Sequence, residues 1–124
     1  MDVTPLLKPG QQIIQSYAGG GFRVSGQAYA GAVLVWPDHT VSWKAASFET
    51  LQPSDFSPVY EYDPLPDVVL FGTGKAQHFL PPALRQSLRD KGLVIEVMDT
   101  GAACRTYNVL LAEGRRVVAA MLPV

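Results

Sequence analysis

Between residues 67 and 122 the chain alternates strand, glycine turn, helix, strand, helix and strand, a grammar that few folds accommodate. Asp67-Val68-Val69-Leu70-Phe71 is a short apolar run suited to a buried strand, and Gly72-Thr73-Gly74 turns the chain out of it. Leu93-Val94-Ile95-Glu96-Val97-Met98 and Val117-Val118-Ala119-Ala120-Met121-Leu122 supply two further strands. The first intervening helix has legible ends. Pro81 and Pro82 suit a first turn, where their missing N–H groups are not needed, and Gly92 provides a left-handed cap before the apolar Leu93. Leu80, Leu84 and Leu88 share a face with Ala83 beside them, while Arg85, Gln86, Arg89 and Lys91 fall elsewhere and are expected to be exposed. The second helix opens at Asp99-Thr100, whose side chains can accept orphan amide protons. It carries Ala103, Tyr107, Leu110 and Leu111 as an apolar stripe and stops at Gly114. This pattern predicts the α/β class, a sheet with helices packed on it.

The first half is β-rich. Ile13-Ile14-Gln15-Ser16-Tyr17 predicts a strand, and Phe22-Arg23-Val24-Ser25 alternates as a half-buried strand should. Gly19-Gly20-Gly21 between them reads as a turn, because no helix follows to hold a phosphate at its N-terminus. Gly26 marks a bulge or turn before residues 27–30. Ala32-Val33-Leu34-Val35-Trp36 and Val41-Ser42-Trp43-Lys44 flank Pro37-Asp38-His39-Thr40, which predicts an antiparallel hairpin with His39 as a solvated turn residue. Pro53, Pro58, Pro64 and Pro66 then forbid a long helix over residues 47–66. A single turn capped by Ser54 is expected there, with Phe48, Phe56, Tyr60 and Tyr62 covering a sheet edge.

With 124 residues, the chain is expected to form a single domain over 1–124. A net charge of −1, with Lys and Arg scattered, argues against a nucleic-acid surface. The lone Cys104 excludes an internal disulfide. Residues 1–12, holding Pro5, Pro9 and Gly10, read as a loose lead-in without a signal-peptide pattern, and no apolar run reaches the ~18 residues of a membrane span. The expected location is therefore the cytoplasm.

If the strands before Gly72 and Asp99 run parallel, Gly72-Thr73-Gly74-Lys75 and Asp99-Thr100 meet beyond their carboxyl ends, where open sheets bind ligands. Backbone N–H groups, two hydroxyls, a lysine and a helix N-terminus would then converge as an anion pocket, against which stands the plainer reading of a tight strand-to-helix turn. Neither phosphate fingerprint is complete: Gln77 stands where a dinucleotide loop needs glycine, and Ala76 where a P-loop needs Ser or Thr. Cys104 reads as a small core residue and His78 as a loop residue. No nucleophile elbow, histidine-rich metal helix or close carboxylate pair occurs, so no catalytic residue, metal ligand or cofactor is assigned.

Phe71-Gly72-Thr73-Gly74, Leu80-Pro81, the run from Lys91 to Thr100, Ala102-Ala103-Cys104-Arg105-Thr106-Tyr107-Asn108 and Glu113-Gly114-Arg115 occur in this order. Together they resemble a small α/β family of largely unassigned function that includes mitochondrial complex I assembly factor 3 and an adipogenesis-associated protein. The resemblance implies three layers around a mixed central sheet, β-rich in the N-terminal half and β-α-β-α-β in the C-terminal half, with room for an antiparallel closing strand. It also implies a bacterial member acting through a protein partner, with Arg105 and Tyr107 as contact residues. No family catalytic residues carry over.

Overall fold

The structure, a computed structural model, describes residues 9–124; the expectation for the lead-in lies, for residues 1–8, outside the described residues. Among the described residues, eight strands form two sheets. Strands β1 (Ile14–Ala18), β2 (Gly21–Val24) and β3 (Gln27–Ala30) make an antiparallel meander. Strands β4 (Val33–Val35), β5 (Thr40–Ser42), β6 (Val68–Gly72), β7 (Ile95–Met98) and β8 (Val117–Met121) form the central sheet in the order β5-β4-β8-β6-β7. The sheet is mixed, and its seam is β8, which pairs parallel with β6 and antiparallel with β4. Strands β6 and β7 pair in parallel, with Val69 opposite Ile95 and Gly72 opposite Met98.

Continuous apolar runs at β4, β6 and β8 are what a sheet buried on both faces requires. Alternate residues divide between two cores. Leu34, Val69, Phe71, Val118 and Ala120 face one side, with Trp43, Phe56, Leu84 and Leu88. Val33, Val35, Val68, Leu70, Val117, Ala119 and Met121 face the other, with Phe22, Val24, Ala103, Tyr107 and Leu111. Three layers result: α2 (Pro82–Asp90) and the connector on one face, and α3 (Thr100–Ala112) with the meander on the other.

The connector contains 3-10 turns at Phe48–Thr50 and Pro53–Phe56 and a short α1 (Ser57–Tyr60). Its second turn begins at Pro53, ahead of the predicted cap Ser54, and the Asp55 carboxylate accepts the Gln52 N–H at 2.7 Å. Both long helices end as the glycines predict. The Leu93 N–H reaches Leu88 O at 3.0 Å across Gly92, and Arg115 N–H reaches Leu110 O at 3.0 Å across Gly114, with φ of +89° and +78° at the two glycines. Two details of the α2 face differ from expectation. Ala83 is exposed, and Arg85 is half-buried because its Nη1 donates to Ile95 O at 3.2 Å. Gln77 Nε2 likewise reaches Val97 O at 3.3 Å. Val94 O and Met98 O point toward β6, so these two side chains occupy outward carbonyls of the β7 edge. An edge masked in this way resists pairing with another strand.

Candidate functional site

The parallel pairing of β6 and β7 brings the two predicted loops together, and the loops bond to each other. Thr100 is fully buried. Its Oγ1 donates to Leu122 O at 2.7 Å and accepts the Gly74 N–H at 2.8 Å, while its own N–H donates to Gly74 O at 2.9 Å. Thr73 donates its N–H to Met98 O at 2.9 Å and its hydroxyl to Ala76 O at 2.6 Å, and Thr73 Oγ1 accepts the His78 N–H at 3.2 Å. Leu122 N–H closes the set on Gly72 O at 2.9 Å. A Cβ on Gly72 would sit 2.7 Å from Met121 Sδ and 2.9 Å from Thr100 Cα, so only glycine admits this approach. Asp99 is the N-cap of α3, its Oδ1 accepting the Ala102 N–H at 2.9 Å. An acidic cap at this helix end disfavours a second anion. Lys75 is exposed. Gly72, Thr73, Gly74, Asp99 and Thr100 thus meet in space, with both threonine hydroxyls engaged by the protein's own backbone.

On α3, Arg105, Tyr107 and Asn108 tether the helix to the meander. The side-chain amide of Asn108 takes the place of a strand neighbour, accepting Ile14 N–H at 3.0 Å and donating to Ile14 O at 2.9 Å. The Tyr107 hydroxyl lies 2.9 Å from Gln12 O and 3.1 Å from Trp36 O, and shares its single proton between those acceptors. Tyr107 is fully buried, and burial, aided by the charge of Asp38, pushes its phenol well above the ordinary value. It therefore belongs to the apolar stripe of α3 and offers no surface to a partner. Arg105 is exposed and donates from Nη1 to Tyr17 Oη at 3.0 Å. Cys104 is buried beside it. Loss of water pushes its thiol up to about 12 despite the opposing charge of Arg105, so it stays protonated and inert near neutrality.

A cavity that the sequence did not signal opens at the other end of the sheet. It has a volume of about 270 Å³ and lies between Trp36-Pro37-Asp38, the segment holding Tyr62, Pro64 and Pro66, and the entry to β8 at Arg116-Val117-Val118. His39 is not a free turn residue. Its ring stacks on Trp36 at 4.3 Å, lies 5.2 Å from the Tyr62 ring, and sets Nδ1 2.7 Å from Asp38 Oδ1. The sequence signals present were a proline turn and a second proline cluster, far apart along the chain. His78 is exposed and stacks on Phe48 at 4.8 Å. Among the described residues no cluster of three or more His, Cys, Asp or Glu side chains is placed to hold a metal, and no helix is long and apolar enough to cross a membrane.

Residues 14–122 match a family described as "Protein of unknown function (DUF498/DUF598)". The chain belongs to that family. It is 34% identical over 110 residues to NADH dehydrogenase (ubiquinone) 1 alpha subcomplex assembly factor 3 of Mus musculus, covering 89% of this chain and 60% of the relative. The chain thus spans about three fifths of the length of the curated assembly factors it matches. It is 36% identical to an uncharacterized protein of Rhodobacter capsulatus, over 89% of this chain and 83% of the relative. A crystal structure of a Bordetella parapertussis protein superposes with a TM-score of 0.83 at 35% identity, over 93% of this chain and 98% of that one. The mixed α/β fold, the family membership and the presence of bacterial relatives agree with the sequence reading.

Proposed function

We propose that this chain is a protein-binding module of the assembly type, acting through contacts and not through catalysis. The observation that carries this reading is the match to the assembly factors over nearly the whole of this chain, with the fold conserved end to end in a bacterial relative. Two local features support it. Phe79 is 88% exposed on the loop before α2, a position that contributes nothing to the core and suits an aromatic anchor in a partner's pocket. Arg105 supplies an exposed guanidinium on α3.

The test is crosslinking and affinity capture of the chain from its own cells, with partners read by mass spectrometry. A dominant, reproducible protein partner is expected. Phe79→Ser or Arg105→Ala should weaken its capture about ten-fold while lowering Tm little, because Phe79 is exposed and Arg105→Ala removes only the exposed hydrogen bond to Tyr17. A partnerless chain, or full binding by both variants together, would remove this reading.

A further inference from the structure

The outer edge of β7 is bracketed by two side chains, Gln77 on Val97 O and Arg85 on Ile95 O, and Phe79 lies between these two in the chain. Phe79 at 88% and Val94 at 59% are the two most exposed large apolar side chains among the described residues. Beside Val94 a groove of about 260 Å³ runs between α2 and β7, lined by Leu93, Val94 and Ile95 together with Arg85 and Arg89. The two guanidiniums belong to positions one helical turn apart, where like charges repel, and among the described residues neither is paired with a carboxylate. Arg85 is held in place by its bond to Ile95 O, which uses one of its five N–H donors. The neighbouring acids are directed elsewhere. The Asp90 carboxylate accepts Gln86 Nε2 at 2.9 Å along the exposed flank of α2. Leu93, Ile95 and Val97 pack in the core that α2 covers, so strand alternation sends Glu96 to the other face. Residues 75–98 thus carry Lys75, Arg85, Arg89 and Lys91 against Asp90 and Glu96, a local positive excess in a chain whose net charge is −1.

We propose that this groove docks an acidic segment of a protein partner, with carboxylates on Arg85 and Arg89 and apolar side chains on Val94 and Phe79. The inference rests on the protein-contact reading above and names the partner's chemistry. Three features select it. A carboxylate relieves the repulsion between the two arginines and can bond a guanidinium in two places without displacing an existing ion pair. Covering Phe79 and Val94 recovers apolar burial that a free inorganic anion does not supply. A polynucleotide needs a longer basic track than two arginines, and the chain as a whole is negatively charged. Because Gln77 and Arg85 occupy the Val97 and Ile95 carbonyls, recognition runs through side chains and not through an added strand.

The experiment has two arms. In the first, fluorescence anisotropy follows binding of the purified chain to a fluorescein-labelled peptide of repeating aspartate, glutamate and leucine. Its counterpart with asparagine and glutamine for the acids should bind about ten-fold more weakly. Arg89→Glu should cost the acidic peptide about ten-fold with little change in Tm, because the side chain is exposed, and Arg85→Gln should weaken binding in the same direction. Lys44→Glu, the same change of charge beyond β5 at the opposite edge of the sheet, should leave binding unaltered. In the second arm, Val94→Cys carries a benzophenone maleimide, the buried Cys104 being shielded from the reagent. Irradiated in a lysate of its own cells, it should crosslink to a segment rich in Asp and Glu, and Arg89→Glu should abolish that crosslink. Equal binding of the acidic and amide peptides overturns the proposal, as does indifference to Arg89→Glu. A partner crosslinked through a neutral or basic segment, or captured without any crosslink from Val94→Cys, overturns it while leaving the protein-contact reading in place. Crosslinking to nucleic acid, or the absence of any protein partner, removes both.

Discussion

At the carboxyl ends of β6 and β7, Thr100 Oγ1 both accepts from Gly74 and donates to Leu122, and Thr73 Oγ1 is held by Ala76 and His78. At the amino end of β8, the Trp36 indole has no partner among the described residues and a cavity stands beside it. Sheets with parallel strands usually bind ligands at the first of these ends, because loops and helix N-termini leave free donors there. Here the seam strand β8 ends beside β6 and brings Leu122 up to Gly72 and Thr100, so the donors meet protein acceptors. The opposite end is capped by a proline-rich segment with little backbone regularity, which leaves space. A ligand-binding rule for strand ends therefore holds only where the chain itself leaves donors unmatched.

The sharpest way to break this contrast is Thr100→Val, which keeps the shape and removes the hydroxyl. It strands the buried Gly74 N–H and Leu122 O and should cost about 2–4 kcal/mol. The Tm should then fall on the order of 10 °C in a thermal melt. A loss near zero would mean that the closed end is not held by this hydroxyl. Gly72→Ala tests the packing of the same junction. Its Cβ would meet Met121 Sδ at 2.7 Å and Thr100 Cα at 2.9 Å, and the expected cost by chemical denaturation is about 1–3 kcal/mol.

The two tryptophans sharpen the comparison across the molecule. Trp43→Phe leaves Asp55 O without its donor, whereas Trp36→Phe removes an indole N–H that has no partner among the described residues. At equal loss of volume, Trp43→Phe should cost about 1–2 kcal/mol more than Trp36→Phe. Equal costs would indicate that the Trp36 indole is satisfied after all.

The smallest effect concerns the thiol behind the closed end. Because Cys104 in the folded chain sits at about 12, above the ordinary 9.0, the unfolded chain loses that proton first. Its contribution is therefore full below about pH 9 and is lost as pH rises toward 12, with Tyr107 acting in the same sense. Unfolding curves collected across that range should show the decline, and Cys104→Ala should make it shallower. At neutral pH, iodoacetamide should label Cys104 only under denaturing conditions.

How much was legible follows a physical division. The strands at 68–72 and 117–121 were visible because burial on both faces demands unbroken apolar runs, and the helix ends because Gly92 and Gly114 take up positive φ. Tyr107 shows two signals in conflict. Helical periodicity placed it in the buried stripe, while the family resemblance offered it as a contact residue, and its burial sides with periodicity. The Trp36 cavity was illegible because its walls come from three segments spread over some eighty positions, each unremarkable by itself.

What the sequence alone determined is the alternation of elements, their caps and the two-sided burial of the central strands. These depend on neighbours a few residues away, where propensity and periodicity act. The tertiary structure decided which strand lies beside which, and through that the fate of every polar group at the sheet ends. Placing β8 between β4 and β6 closed one end on Thr100 and left the other open at Trp36, since a hydrogen bond depends on distance in space and not along the chain.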